Sequence, residues 1–178
     1  GDENHNKVED VVRSWIIKNS ESKTVEEELK AQMQFLLAKN YYGNKRYDVA
    51  RSEYQTVINR YADTAFAVEA QFGIGETFMA QKVYDQAEKV FEKLAGSQDT
   101  EIIVRAEFLR GMLAHRRGDN DEARDIFRTV LERVPNIELA NKALFNLSEV
   151  YGDEERYMDQ LQLLMTVGRL GRVSKRLH

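Results

Sequence analysis

The sequence predicts an all-α fold, an α-solenoid of helical hairpins stacked side by side with capping helices at its ends. Three observations carry that prediction. First, small residues recur at Ala38, Gly75, Gly111 and Ser148, in steps of 37, 36 and 37 residues. Second, each is followed twelve residues on by Ala50, Ala87, Ala123 or Gln160, and four residues later by Tyr54, Phe91, Phe127 or Leu164. Third, three residues past the small position stand Tyr41, Phe78, Ala114 and Tyr151, and the second set ends in Val57, Leu94, Val130 and Val167. A period of this length marks stacked supersecondary units. Small residues at two fixed points let helix backbones approach closely. A ring one turn away fills the space beside the crossing and buries about 150–250 Å². One hairpin cannot bury its apolar face alone, so neighbouring hairpins share one core.

The elements follow in order. Residues 1–6 are polar and expected to fray. Lys7–Lys18 carries Val8, Val11, Val12, Trp15 and Ile16 at helical spacing. Val11 and Trp15 are spaced like Ala50 and Tyr54. This segment reads either as the second helix of a repeat or as an N-terminal cap. Thr24 with Glu27 forms a capping box for a helix over about 25–43, which Gly43-Asn44 ends. Tyr47–Arg60 is its partner. Asp63 or Thr64 caps a helix to Ala80, and Val83–Ala95 returns. Asp99 caps Thr100–Arg117, and Gly118-Asp119 leads into Asn120–Val134. Pro135-Asn136 starts Ile137–Tyr151, and Gly152-Asp153 turns into Glu154–Val167.

These residues resemble the tetratricopeptide repeat (TPR) pattern: a bulky residue and Leu-Gly, then Tyr, in a first helix; Ala and then Phe in a second; Pro at the close. Leu37-Ala38, Ile74-Gly75 and Leu147-Ser148 match, with Tyr41, Phe78 and Tyr151 after them. Four repeats from Ala31 to Val167 cover 137 of 178 residues. Arg110 replaces the apolar residue before Gly111, and Gln160 replaces the small residue of the last second helix. The resemblance implies a right-handed α-solenoid. Its parts are a linker with a capping helix or half repeat (1–30), repeats at 31–67, 68–103 and 104–140, a degenerate repeat at 141–167 and a tail at 168–178. The link Arg60–Ala67 resembles that of bacterial envelope TPR proteins, such as the periplasmic protein of the Tol-Pal system and the lipoprotein of the outer-membrane barrel-assembly machine. The expected compartment is therefore the periplasm or cell envelope, with the cytoplasm as the alternative.

The family's first helices line a concave face that holds peptides. Three residues before each small position stands a phenylalanine: Phe35, Phe72, Phe108 and Phe145. One residue after it come Lys39, Glu76, Met112 and Glu149, and four after it Tyr42, Met79, His115 and Gly152. The expected peptide-binding set is Phe35, Lys39, Tyr42, Phe72, Glu76, Met79, Phe108, Met112, His115, Phe145 and Glu149. A row of rings suits an apolar peptide, and methionines let a surface repack around varied ligands. The same phenylalanines also suit simple packing between helices. Phe35 and Lys39 stand where the family's chaperone-tail clamp has lysine and asparagine, which argues against chaperone termini as ligands.

Composition narrows the chemistry. Net charge is −4, with 42% apolar and 31% charged residues, one proline and no cysteine. That excludes disulfides, thiolate metal sites and cysteine nucleophiles, and it weighs against general nucleic-acid binding. No apolar run is long enough to span a membrane. His5, His115 and His178 lack metal-ligand spacing. Gly73-Ile74-Gly75 lies mid-helix without a preceding strand, so it is no nucleotide loop. Residues 119–122, Asp-Asn-Asp-Glu, lack the spacing of a calcium loop. The tail carries Arg169, Arg172, Lys175 and Arg176 and no acid; it reads as a solvated helix or a basic contact surface. No secretory signal is visible at residues 1–6, which read as a mature terminus or a boundary. The expected function is a non-catalytic adaptor without cofactor or metal, binding a protein or peptide partner, with a homo-oligomer possible. A self-associating envelope scaffold and a regulatory segment of a larger protein are the alternatives.

Overall fold

The structure, a computed structural model, describes residues 2–22, 25–133, 136–163 and 165. Eight helices follow one another: α1 (Asp2–Asn19), α2 (Glu27–Gly43), α3 (Tyr47–Arg60), α4 (Ala65–Ala80), α5 (Tyr84–Ala95), α6 (Thr100–Arg117), α7 (Asn120–Arg133) and α8 (Ile137–Asp153). Residues 157–163 are also helical, and no strand occurs among the described residues. The all-α fold of paired helices is as the periodicity predicts.

Several ends differ from the sequence reading. Residues 2–6, expected to fray, are helical. α2 starts at Glu27 behind Glu26, which makes no side-chain cap bond; Thr24 of the expected capping box lies outside the described residues. Thr64 holds the N-cap position of α4, but its hydroxyl donates back to the Tyr61 carbonyl at 2.7 Å and caps nothing. Asp99 does cap α6, accepting from the Glu101 amide at 2.8 Å, and Asn136 caps α8, accepting from the Leu139 amide at 2.9 Å. α8 runs on to Asp153, so the last turn starts later than expected and the chain re-enters a helix at residue 157. Pro135, Leu164, Val167 and the 168–178 tail lie outside the described residues.

All four hairpin turns use one geometry. Lys45, Lys82, Gly118 and Glu155 have φ of 58°, 61°, 90° and 56°, at the same 37, 36, 37 step as the small residues. Each is the left-handed residue that ends a helix in the Schellman manner. The amides of Arg46, Val83, Asp119 and Arg156 reach back to the carbonyls of Tyr41, Phe78, Ala114 and Tyr151 at 2.9–3.0 Å. The third-after-small position thus supplies the carbonyl that closes its own helix.

The chain divides into two compact units, Gly1–Val90 and Phe91–His178, with the boundary inside α5. In the first, α2 packs against α1, α3 and α4. Ala31, Leu37, Ala38, Tyr41, Ala50, Tyr54, Val57, Tyr61 and Ala70 form its core, with Val12 and Ile16 of α1 against them. Val11, by contrast, is 69% exposed. The sequence match of Val11 and Trp15 to Ala50 and Tyr54 is therefore one residue out of register: Val12 and Ile16 face the core. In the second unit α7 packs on α6 and α8 around Leu113, Phe127, Val130 and Val150.

Close approach falls at glycine in both units. A Cβ at Gly111 would meet Phe127 Cε1 at 2.8 Å, as the small-residue row predicts. In the first unit the tight point is Gly73, where a Cβ would meet Tyr54 Cζ at 2.5 Å. Gly73 is not in the small-residue row, whose member in this helix is the buried Gly75.

Gly73→Ala should therefore lower stability by about 1–3 kcal/mol, because the buried ring cannot retreat; urea denaturation measures it. Lys82→Gly should raise the unfolding free energy and the urea midpoint and Gly118→Ala lower both, each free energy by about 1 kcal/mol, through relief or creation of left-handed strain. Equal midpoints for both would contradict the turn geometry.

Candidate functional site

The expected binding residues lie on α2 and α4 in the first unit and on α6 and α8 in the second. The structure treats the four phenylalanines differently. Phe35 is half-buried, its ring 5.5 Å from those of Tyr54 and Phe66, with Lys39 Nζ 5.8 Å from its centroid. Phe72 is 1% exposed and Phe108, packed on Phe127, is 7% exposed. Phe145 is 61% exposed, and no further first helix follows α8 among the described residues. The same position is core at Phe72 and Phe108, half-buried at Phe35 and surface at Phe145.

The remaining residues are also mixed. Tyr42 packs edge-on against Tyr47 at 5.7 Å and Glu76 is half-buried, but Met79 is buried. In the second unit Met112 is half-buried and Glu149 is exposed, one turn from Phe145. His115 Nε2 lies 2.8 Å from Asp153 Oδ2, which joins the ends of α6 and α8. The structure thus groups Phe35 with Lys39 and sets Phe145 with Glu149 on an open face. Phe72, Met79 and Phe108 stand apart as packing residues. What remains accessible is ring edge beside charge of both signs, a surface for contact. Among the described residues no group of three or more His, Asp or Glu side chains is arranged to hold a metal ion.

A polar cluster, unforeseen in the sequence, ties α1 to the first hairpin. The Tyr41 hydroxyl donates to Glu9 Oε1 at 2.6 Å, and Arg13 Nε donates to that hydroxyl at 2.7 Å. Arg46 donates to Glu9 Oε2 at 3.1 Å and lies 4.6 Å from the Tyr41 ring centroid. Arg13 also pairs with Glu53 at 3.5 Å, and Gln34 donates to Glu53. The Tyr41 hydrogen bond, helped by Arg46 and Arg13, holds the Glu9 carboxyl below its ordinary range against burial. Burial pushes Glu53 the other way, with Arg13 and Gln34 opposing. Burial also pushes the Tyr54 phenol well up, so it stays neutral beside Glu76.

The motif recurs. Arg51 lies 4.4 Å from the Phe78 ring centroid and bonds Gln81 and Asp48. Two repeats on, Arg124 bonds Asp121 and reaches Glu154 at 2.7 Å, while Arg128 donates to the Tyr151 hydroxyl at 2.6 Å. Arg51 and Arg124, at matching places on α3 and α7, each reach the end of the next first helix.

A cleft of about 380 Å³ opens between α1 and α2, lined by Val8, Glu9, Val12, Leu36, Leu37, Lys39, Asn40 and Gly43. The sequence reading missed it because it placed α1 by Val11 and Trp15. The usable signal was an offset of 38, which matches Val12, Arg13 and Ile16 to Ala50, Arg51 and Tyr54.

A family model described as a tetratricopeptide repeat-like domain matches residues 15–147. No curated protein sequence matches the chain. Among solved structures, the apo form of RapI aligns with TM-score 0.73 and 17% identity, over 90% of this chain and 48% of its own. The Rap conjugation gene regulator of plasmid pLS20, in complex with the Phr* peptide, gives 0.70 and 17%, over 94% and 50%. The nearly identical TPR-like repeats of a putative kinesin light chain from Podosopora anserina give 0.71 and 14%, over 98% and 90%. The chain spans about half the length of the two Rap proteins. At these identities the likeness is one of fold, and it puts the chain among α-solenoids. It lends no support to the finer likeness to the Tol-Pal and barrel-assembly proteins.

Glu9 gives a pH test. Its folded pKa lies below the unfolded one, so its contribution is complete above the unfolded value and is lost as pH falls through the folded one. Between about pH 5 and pH 3 the wild type should lose more thermal stability than Glu9→Gln. Parallel losses across that window would show that the carboxylate does not secure α1.

Proposed function

Because the chain belongs to the tetratricopeptide repeat-like domain family, we propose that it is a non-catalytic adaptor that binds a peptide segment of a partner protein on the face of its first helices. The observation that carries this reading is ring surface left beside charge: Phe35 under Lys39 on α2, and Phe145 beside Glu149 on α8. Within either unit an extended peptide lays an apolar side chain on the open ring and directs a polar group to the charge beside it. The fold's likeness to a Rap regulator in complex with a peptide supports the same use. Phe72, Met79 and Phe108 support the binding helices from beneath. The Arg60–Ala67 link favours a bacterial envelope setting, the periplasm first and the cytoplasm as the alternative.

A self-associating scaffold is the second reading. Tyr157, Met158, Leu161 and Met165 are exposed, where earlier second helices carry Tyr47, Asp48, Arg51 and Gln55. An apolar face replaces an arginine-bearing one, and such patches mark association.

Affinity capture from the native host separates the two. A Phe35→Ala/Tyr42→Ala/Phe145→Ala variant should recover its partner at least about tenfold less well than wild type, the loss expected of aromatic anchors. Equal recovery by a folded variant contradicts the peptide-binding reading. Dimers in sedimentation that Leu161→Asp dissociates, with no partner captured, favour the scaffold.

A further inference from the structure

The cleft between α1 and α2 repeats, one hairpin earlier, the seat that α2 itself fills. α2 lies against both α3 and α4. In the register of the fold α1 repeats α3: Val12 stands for Ala50, Arg13 for Arg51 and Ile16 for Tyr54. The contacts agree, since Arg13 lies over Tyr41 as Arg51 lies over Phe78. Likewise α2 repeats α4 at an offset of 37, with Leu36 for Gly73 and Asn40 for Thr77. In α4 those two positions are buried. In α2 they open into the cleft: Leu36 is 45% exposed, and the buried Asn40 Nδ2 has no hydrogen-bond partner. Val8, also exposed, forms the opposite wall. The walls that receive a first helix at α3 and α4 are thus built again at α1 and α2.

We infer that this cleft is a second docking site, between α1 and the side of α2 that carries Leu36 and Asn40, and that it receives one amphipathic α-helix of a partner protein. The chain itself shows what such a seat takes. At α3 and α4 it takes α2, which contributes Ala31, Phe35, Ala38 and Tyr42 to the packing. The visiting helix therefore carries a small residue to cross Val12 and an apolar residue between Val8 and Leu36. The buried Asn40 Nδ2 is costly to leave unmet; it gains a partner if the side chain turns toward the visiting helix and that helix brings an acceptor. An acidic residue at its flank faces exposed Lys39. This is helix-in-groove recognition.

The test uses the α2 sequence, EELKAQMQFLLAKNYYG, as a fluorescently labelled peptide titrated into the full chain and followed by anisotropy. Saturable binding at one site is expected, weakened about tenfold or more by Leu36→Asp and by Val8→Asp, the size of a lost apolar anchor. Both positions are open, so both variants should melt near wild type; Val8→Asp stands alone if Leu36→Asp fails to fold. Tyr42→Ala, on the other face, should leave the titration unchanged, which keeps this site separable from the adaptor reading. No saturable binding, or binding indifferent to both aspartates, overturns the proposal. So does a chain that sediments as a dimer until Leu36→Asp splits it, because the occupant is then a second copy.

Discussion

The closeness of a second-helix ring to a first helix is the constraint on which the rest depends. Tyr54 and Phe127 hold the same place in their hairpins, and each lies where a glycine gives it room. Tyr54 presses on Gly73 of the following first helix; Phe127 presses on Gly111 of its own. One position therefore serves both interfaces that a hairpin repeat needs, within the hairpin and between neighbours. Both rings are sealed from water, and dense packing makes such contacts intolerant of an added methyl.

Polar groups then fix how one hairpin follows the next. The left-handed residues at Lys45, Lys82, Gly118 and Glu155 turn the chain the same way each time. Arginines on the second helices stack on the next first helix or bond its end, as Arg51 does at Phe78 and Gln81. Arginine suits this work because its planar group stacks and donates at once. The cluster of Glu9, Arg13, Tyr41 and Arg46 applies the same device to α1, which shows that α1 is placed as a second helix is placed.

Much of the architecture was legible because small and aromatic residues recur at a constant step, and only stacked hairpins need that. The helix cap at Asp99 was legible because its side chain acts on adjacent amides. The left-handed turns were not, since glycine announces only the one at Gly118 and lysine or glutamate announces nothing. Nor could sequence divide the phenylalanine row. Whether Phe72 is core and Phe145 surface depends on which residues distant in sequence pack around each ring, which is a long-range fact. The α1 register was missed by one residue because Val11 and Val12 are chemically alike, yet one faces water and the other the core. The α1–α2 cleft followed that error.

A double-mutant cycle on Gly73 and Tyr54 tests the central constraint most directly. Stabilities of Gly73→Ala, Tyr54→Leu and the pair are measured by urea denaturation. If the ring and the glycine define the crossing, the alanine methyl harms the wild type but finds space once the ring is gone, with a coupling of about 1 kcal/mol or more. Strict additivity would mean that the two do not meet, and the account of how the hairpins pack would fail.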